Sequence, residues 1–487
     1  MNPETTDASR VQDTAKDRPF EPNGRPLVAD LDGTLLRSDI LIETAVSVGW
    51  NAQILRALIT SKAALKHALA AKADIDPAVL PYDDAVVARI RAAKASGRQV
   101  YLASASNERI VAAIAKYLGC FDGWFASNET TNLKGKAKAR QLVQRFGERG
   151  FDYIGDDAAD LAVWSHAANV IAVRASKKLA RRLALEHPNA EHLVSATPNW
   201  RDWLKLVRVH QYAKNTLVFL PLLTAHAFSV NSIVLACLAA LAFSVCASGV
   251  YIINDMSDLS ADRAHPTKKC RPLAAGVISL RSALIAAAFM FVLAAAIAIT
   301  ISRHFAIVLF GYLALTTVYS VWLKRKLIVD VVVLAMLYIA RIIGGAVAIE
   351  VNISEWLLAF SLLVFTCLAL IKRYIELATL RDANLSAPSK RNYWLGDMDI
   401  IAALAAAAGF NAVTVFCLYI SSDTVRHLYR YPQVLWLITP VLMYWLCRLL
   451  VMAHRSQVHE DPIVFAFHDR ISLLTTVTII AIVLIAI

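Results

Sequence analysis

The stretch Tyr251–Pro272, YIINDMSDLSADRAHPTKKCRP, follows directly on an apolar run long enough to cross a bilayer. It at once sets Asp255, Asp258 and Asp262 beside Arg263, Lys268, Lys269 and Arg271. At 100° per residue on a helix, the three aspartates fall within about 60° of one another. Carboxylates at that spacing repel and cost helix stability, a conflict that a cation between them removes. Oxygen-only ligands suit a hard ion such as Mg²⁺, which shares its shell with substrate phosphates. The bases that follow can bind the same phosphates from the other side. A solvated loop whose charges only set topology has no need of its acids on one helical face.

The surrounding composition says where such a site would lie. The chain has 487 residues, 57% of them hydrophobic, with a mean hydropathy of +0.50. That is too long for one domain and too apolar for an ordinary soluble protein. The excess is uneven: residues 1 to about 205 read as a soluble mixture, and apolar runs dominate the rest. Fifty Lys and Arg against 38 Asp and Glu give a net charge of +12. On a membrane protein this points to lipid headgroups, topology and anionic substrates. No stacking platform or basic helix accompanies the charge, which argues against nucleic acid. The seven cysteines are scattered without a CxxC pair, which argues for a reducing compartment and against structural zinc. The first residues lack the apolar core of a signal peptide and read as a disordered tail, 1–25.

Between about 26 and 200, four short stretches each place polar residues at the end of an apolar strand. They are LVADLDGTLL (Leu27–Leu36), VYLASAS (ending at Ser106), NLKGKAK (Asn132–Lys138) and FDYIGDDAAD (Phe151–Asp160). Open α/β sheets bind ligands at that edge. Together and in this order they resemble the four motifs of haloacid dehalogenase-like (HAD) phosphohydrolases. The resemblance implies an α/β Rossmannoid domain in which Asp30 attacks phosphorus and Asp32 acts as general acid and base. Mg²⁺ would be held by Asp30 and Asp156, with Asp160 or Asp157 supporting. Ser104 matches the family's hydroxyl donor, with Ser106 the alternative; Lys134 matches its lysine, with Lys138 the alternative. The alanine-rich segment of about 34–98 implies a small helical cap and hence a small substrate or an exposed phosphate end.

From 201 to 487 the sequence reads as an all-α polytopic membrane domain. About nine spans are predicted, near 212–229, 231–253, 278–301, 304–322, 328–349, 355–371, 400–420, 432–451 and 470–487. Nearly all loop lysines and arginines fall in 254–277, 323–327, 372–399 and 452–469. The positive-inside rule then puts those loops and the N-terminal domain in the cytoplasm, at the inner membrane. NDMSDLSAD, Asn254–Asp262, at the end of the second span resembles the first aspartate motif of the UbiA superfamily of intramembrane prenyltransferases. The second motif of the quinone-forming branch, DxxxD, is absent from the corresponding LIKRYIELATLRDANLS. The decaprenyl-phosphate phosphoribosyltransferase branch matches better, through VRVHQYAKNTLVFLPLL (Val207–Leu223), NDMSDLSADRAHPTKKCRPLAAG and KRYIEL.

That resemblance implies Mg²⁺–diphosphate ligation by Asp255, Asp258 and Asp262, supported by Asn254. Lys214 and Asn215 match the branch's first motif; His265, Lys268 and Arg271 match its loop. Lys372 and Arg373 would grip phosphates, with Glu376 nearby. Lys324 and Asp330 flank the fifth span and Arg341 lies within it, where an arginine marks either a ligand cavity or a structural ion pair. His265 either binds phosphate or ends its helix. Tyr319 reads as packing, and Trp322 and Trp356 as interface anchors. The implied reaction joins a polyprenyl phosphate to phosphoribose from phosphoribosyl pyrophosphate, and the HAD domain would remove the 5-phosphate of the product. The rivals are transfer of a prenyl group from its diphosphate to an aromatic or other small acceptor, and a transporter or sensor with an inert HAD module. Oligomeric state is left open.

Overall fold

The computed structural model describes residues 24–48, 75–128, 131–193, 195, 197–382, 392–458 and 461–487. The expected tail, except for its last two residues, and the middle of the expected cap, 49–74, lie outside the described residues. The chain divides into two compact units, Met1–Val207 with Ile252–Ala286, and Arg208–Tyr251 with Ala287–Ile487. The aspartate-rich segment, read from sequence as part of the membrane domain, therefore groups with the N-terminal unit.

The first unit is built on six parallel strands: β1 (Leu27–Asp30), β2 (Val100–Asn107), β3 (Gly123–Ser127), β4 (Asp152–Gly155), β5 (Asn169–Val173) and β6 (Glu191–Leu193). Their order is β3-β2-β1-β4-β5-β6, so the chain reverses direction across the sheet at β1. All four residues of β1, LVAD, are buried. Such an unalternating run needs cover on both faces. The helices Asp84–Ala95 and Glu108–Leu118 cover one face through Val86, Ile90, Ile110 and Ile114. The helices Lys136–Phe146 and Lys177–Glu186 cover the other through Ala139, Leu142, Leu179 and Leu183. Each fully buried Leu, Ile or Val contributes about 1.5–3 kcal/mol relative to exposure, so the central strands are anchored and their carboxyl ends are held rigidly.

In the second unit and its junctions with the first, seven helices among the described residues are long and apolar enough to span a membrane, or eight if one bent pair counts as a span. The expected span at 212–229 is instead a tight 3₁₀ segment, Val209–Phe219, followed by the short helix Leu220–Thr224. Pro221 begins that helix, and the apolar stretch is too short to be regular and spanning at once. The last expected span is the 17-residue helix Arg470–Ala486, bent 83° from Pro462–His468. The sixth runs on to Asp382 as a single 28-residue helix, Glu355–Asp382, so KRYIEL is helical rather than loop. Only 17% of the apolar window of Leu280–Ile301 is buried, and Ile285, Phe289, Val292 and Ile299 are exposed. A helix faced that way is stable in hydrocarbon and not in water. The protein is a multi-pass membrane protein.

Candidate active sites

The first site sits where β1, β2 and β4 end. Asp30 closes β1, and the chain turns at Gly33, whose φ of +78° and absent Cβ let Asp156 approach; a Cβ there would lie 2.2 Å from Asp156 Oδ2. Thr34 Oγ1 donates to Asp156 Oδ1 at 3.0 Å. Asp160 Oδ2 accepts the backbone N–H of Asp156 and of Asp157, at 3.1 and 3.2 Å. Asp30, Asp156 and Asp160 each present a carboxylate oxygen within 4.8 Å of the other two. Burial and the Asp160 charge push the Asp156 carboxyl up to about 7. Burial likewise holds Asp30 well above the carboxylate range, with Asp160 adding to it and Lys138 opposing it. Three crowded oxygen donors, of which burial keeps Asp30 and Asp156 from ionising readily without a partner, fit a hard divalent cation such as Mg²⁺. Asp157 is exposed and caps the next turn through Ala158 N–H, so of the two supporting candidates Asp160 is the one in the cluster.

Lys138, the alternative in the sequence reading, takes the place expected of Lys134. Its Nζ donates to Asp30 Oδ1 at 2.8 Å and to Tyr153 Oη at 2.8 Å and lies 3.7 Å from Asp160 Oδ1. Tyr153 in turn donates to Asp160 at 2.9 Å. Lys134 precedes the helix Lys136–Phe146 and is exposed, whereas Lys138 lies on that helix's buried face. Burial works against the Lys138 charge, but Asp30 and Asp160 outweigh it and hold the ammonium above its ordinary range.

Asp32 accepts from Ser104 Oγ at 3.1 Å, from Ser106 Oγ at 2.7 Å and from Ile40 N–H at 2.7 Å. Burial, followed by the nearby Asp39 charge, raises its carboxyl, which suits a proton donor. Both serines thus serve Asp32, and Ser104 Oγ also accepts from Ser106 N–H.

The aspartate-rich segment is not one continuous helix. The helix Val230–Ser257 ends before Asp258, and a second, Leu259–Ala264, follows it. Asp255 and Asp262 are nonetheless both buried and converge on Arg271, whose Nη1 lies 3.2 Å from Asp255 Oδ1 and 2.6 Å from Asp262 Oδ2. The pair can therefore address one cationic group. Asp258 is half-buried at the junction, and Asn254 lies one turn before it. His265 ends the second helix, its Nδ1 facing the N–H groups of Thr267 and Lys268. Lys268 is exposed.

Within the second unit, Asp461 joins two lysines far apart in sequence: Lys214 Nζ at 2.9 Å and Lys372 Nζ at 2.8 Å. Arg341 is buried and spends its donors inside the bundle, on Asn215 Oδ1 at 2.8 Å, Tyr312 Oη at 2.9 Å and Leu337 O. Arg373 is paired with Asp330 at 2.6 Å and with Glu376 at 2.5 Å, and it also donates to Tyr319 Oη. The side chains of Asp330 and Arg373 are 0% and 2% exposed. Arg341, for which the sequence leaves a ligand cavity or a structural ion pair open, and Asp330 and Arg373, expected at the substrate, thus all have buried partners within the protein. Lys324 lies half-buried on the turn Leu323–Arg325.

A match to the UbiA prenyltransferase family covers residues 216–471. The chain belongs to that family. An uncharacterised Sinorhizobium fredii protein, y4nM, is 36% identical over 461 residues, 92% of this UbiA-family chain and 88% of that protein. The decaprenyl-phosphate phosphoribosyltransferase of Mycobacterium tuberculosis is 36% identical over 181 residues, 36% of this chain and 59% of that enzyme. Among solved structures, an Archaeoglobus fulgidus UbiA homologue bound to GPP and Mg²⁺ is 18% identical, with 58% of this chain and 99% of that one covered at a TM-score of 0.45. A Salmonella enterica HAD-family hydrolase is 17% identical, with 33% and 65% covered at a TM-score of 0.27. The first unit of the UbiA-family chain is HAD-like in sheet order and in the residues at its strand ends.

Sequence reasoning missed Tyr153, Asp461, Glu43 and Arg174. Arg174 holds the turn after β1 through the carbonyls of Gly33 and Thr34 and pairs with the buried Asp83 at 2.5 Å. Asp461 carried one signal, an aspartate directly before Pro462 and an apolar run, which is the pattern of a helix cap. A tyrosine inside a strand and an arginine just beyond one carry none.

Proposed function

We propose that this UbiA-family chain joins a polyprenyl phosphate to the phosphoribosyl group of phosphoribosyl pyrophosphate, and that its HAD-like unit hydrolyses the 5-phosphate of the product. The observation that carries the reading is the 181-residue stretch 36% identical to a decaprenyl-phosphate phosphoribosyltransferase, in a chain that also holds a complete phosphohydrolase-type cluster. In the transfer step the lipid phosphate oxygen bonds to the anomeric carbon as the bond to pyrophosphate breaks, and the electron pair leaves with the pyrophosphate. Asp255, Asp258 and Asp262, with Asn254 behind them, are the proposed Mg²⁺ ligands. Lys268 and Arg271 are the proposed phosphate contacts there, and within the second unit Lys214 and Lys372, both paired with Asp461, are proposed phosphate contacts in their own right.

At the second site Asp30, Asp156 and Asp160 would hold Mg²⁺, which when bound screens the nucleophile from the phosphate charge. Asp30 attacks phosphorus, and Asp32 gives its proton to the departing oxygen. Asp32 then takes a proton from the water that attacks the aspartyl-phosphate, and the Asp30–phosphorus bond breaks to free phosphate. Lys138 stabilises the phosphoryl charge in both steps. The basic loops support a cytoplasmic position for both sites at the inner membrane.

The test is to incubate the purified chain in lipid nanodiscs with labelled phosphoribosyl pyrophosphate, polyprenyl phosphate and Mg²⁺. Wild type should yield an uncharged-sugar ribolipid, and Asp30→Asn its 5-phosphorylated precursor. Product only from a polyprenyl diphosphate and an aromatic acceptor would refute the transfer reading. Equal precursor in both proteins would refute the phosphatase role.

A further inference from the structure

The function proposed above leaves one buried connection in the first unit unused. Arg263, the residue after Asp262, donates to Glu43 through both terminal nitrogens, Nη2 to Oε1 at 2.6 Å and Nη1 to Oε2 at 3.0 Å. The two side chains are only 5% and 6% exposed. Arg263 Nε also donates to Ala274 O at 3.1 Å, so one guanidinium closes the loop 263–274 on itself and fastens it to the helix Ile40–Val48. Ser38 Oγ donates to the same Glu43. Gly276, at a φ of +66°, comes so near that a Cβ there would stand 2.8 Å from Arg37 Cβ and 2.9 Å from Pro81 Cβ.

The other end of this connection is catalytic. Glu43 lies one helical turn after Ile40, about 4.5 Å along the axis, and Ile40 N–H donates to Asp32. Ser38, Glu43's other partner, accepts the Gly33 N–H at 3.2 Å, in the turn that also brings Thr34 to Asp156. A rigid helix therefore has the proposed general acid of the phosphatase at its start and the proposed diphosphate loop of the transferase one turn on. A buried ion pair contributes little to net stability, because desolvation offsets the attraction. Its best-attested use is to fix one arrangement over others.

We propose that Arg263 and Glu43 are positioning residues that couple the two sites, with Arg263 setting the orientation of Asp32 through Glu43 and Glu43 setting the loop that carries Asp262. The inference rests on the bifunctional reading above. Its sign is that a substitution in the transferase loop changes phosphatase turnover.

The experiment uses the full chain in nanodiscs, with Arg263→Met, the isosteric Glu43→Gln and the double variant. Steady-state hydrolysis of p-nitrophenyl phosphate and formation of ribolipid are both measured. Arg263→Met should lower phosphatase kcat by about 3- to 30-fold with KM little changed, as expected for coupling of this kind. Glu43→Gln should lower transferase kcat similarly, and the double variant should be no worse than the weaker single one. If Arg263→Met does not fold, Glu43→Gln alone decides through its effect on ribolipid formation. Phosphatase kcat unchanged in a folded Arg263→Met, or losses that multiply in the double variant, would overturn the coupling. A wild type inert toward both substrates would instead overturn the bifunctional reading, and the coupling with it.

Discussion

Replacing Lys138 by methionine keeps the length of the side chain and removes its charge. The ammonium is 5% exposed, so solvent screens it little, and it lies within 2.8 Å of Asp30 and 3.7 Å of Asp160. Taking one partner out of a buried ion pair costs about 3–5 kcal/mol. Part of that is recovered as the Asp30 carboxyl stays protonated, which is the direction burial already drives it. Removal of a preorganised charge donor slows such reactions by about 10²–10³, or ~2.7–4 kcal/mol of barrier. Lys138→Met should therefore lose phosphatase kcat by that factor and unfold at lower temperature in Mg²⁺-free buffer. The exposed Lys134 provides the contrast: Lys134→Met should stay within about 0.5 kcal/mol of wild type in stability and within about twofold in rate. Hydrolysis of p-nitrophenyl phosphate and thermal unfolding in detergent read both effects. If Lys134→Met collapses in rate while Lys138→Met survives, the assignment of the phosphoryl-stabilising lysine is wrong.

Gly33→Ala sets a Cβ against Asp156 and demands a positive φ of an alanine, so phosphatase activity should fall at least ~100-fold while ribolipid formation continues; retained hydrolysis would refute the close approach. Asp83 tests pH dependence. Burial opposes its charge, but Ser195, Arg174 and Arg37 outweigh that and hold its carboxyl below the ordinary value. Its stabilisation is therefore complete above the unfolded pKa of about 3.9 and is lost as pH falls through the lower folded value. The Tm gap between wild type and Asp83→Asn should accordingly be wide at pH 7 and narrow below about pH 4; a constant gap would count against the ion pairs. Arg373→Met leaves Asp330 buried without its cation and should cost about 3–5 kcal/mol, whereas Arg373→Met with Asp330→Leu should recover most of it. Denaturation in mixed micelles would measure both, and a purely additive pair would contradict the network.

The motif at Leu27–Leu36 is legible because a parallel strand buried on both faces has one sequence pattern and delivers its acids to one edge. Asp30, Asp32 and Asp156 are placed at that edge for this reason, their roles being implied by the resemblance, while the sequence leaves Asp160 and Asp157 open. The choice between Lys134 and Lys138 is not legible either, since the two lie four residues apart in one short stretch and only the packing of the second against Tyr153 shows which is buried. In the membrane unit hydropathy found the long spans but miscounted the ends. It reports how apolar a stretch is, and not whether Pro221 or the turn at Asp469 breaks it. For Arg341 the sequence leaves a ligand cavity and a structural ion pair open, because a charge inside a span looks functional by default, and for Arg373 the phosphate role is implied only by the family resemblance. Their partners Asn215, Tyr312, Asp330 and Glu376 lie 3 to 126 residues away and become visible only in the folded bundle.

The pairing of Glu43 with Arg263 also orders events during synthesis. Some 220 residues separate the two, and the helix Val230–Ser257 lies between them. A nascent chain that has released all six strands therefore still holds a carboxylate whose cation has not left the ribosome. The HAD-like fold can therefore close its Glu43–Arg263 contact only after the helix Val230–Ser257 has been synthesised.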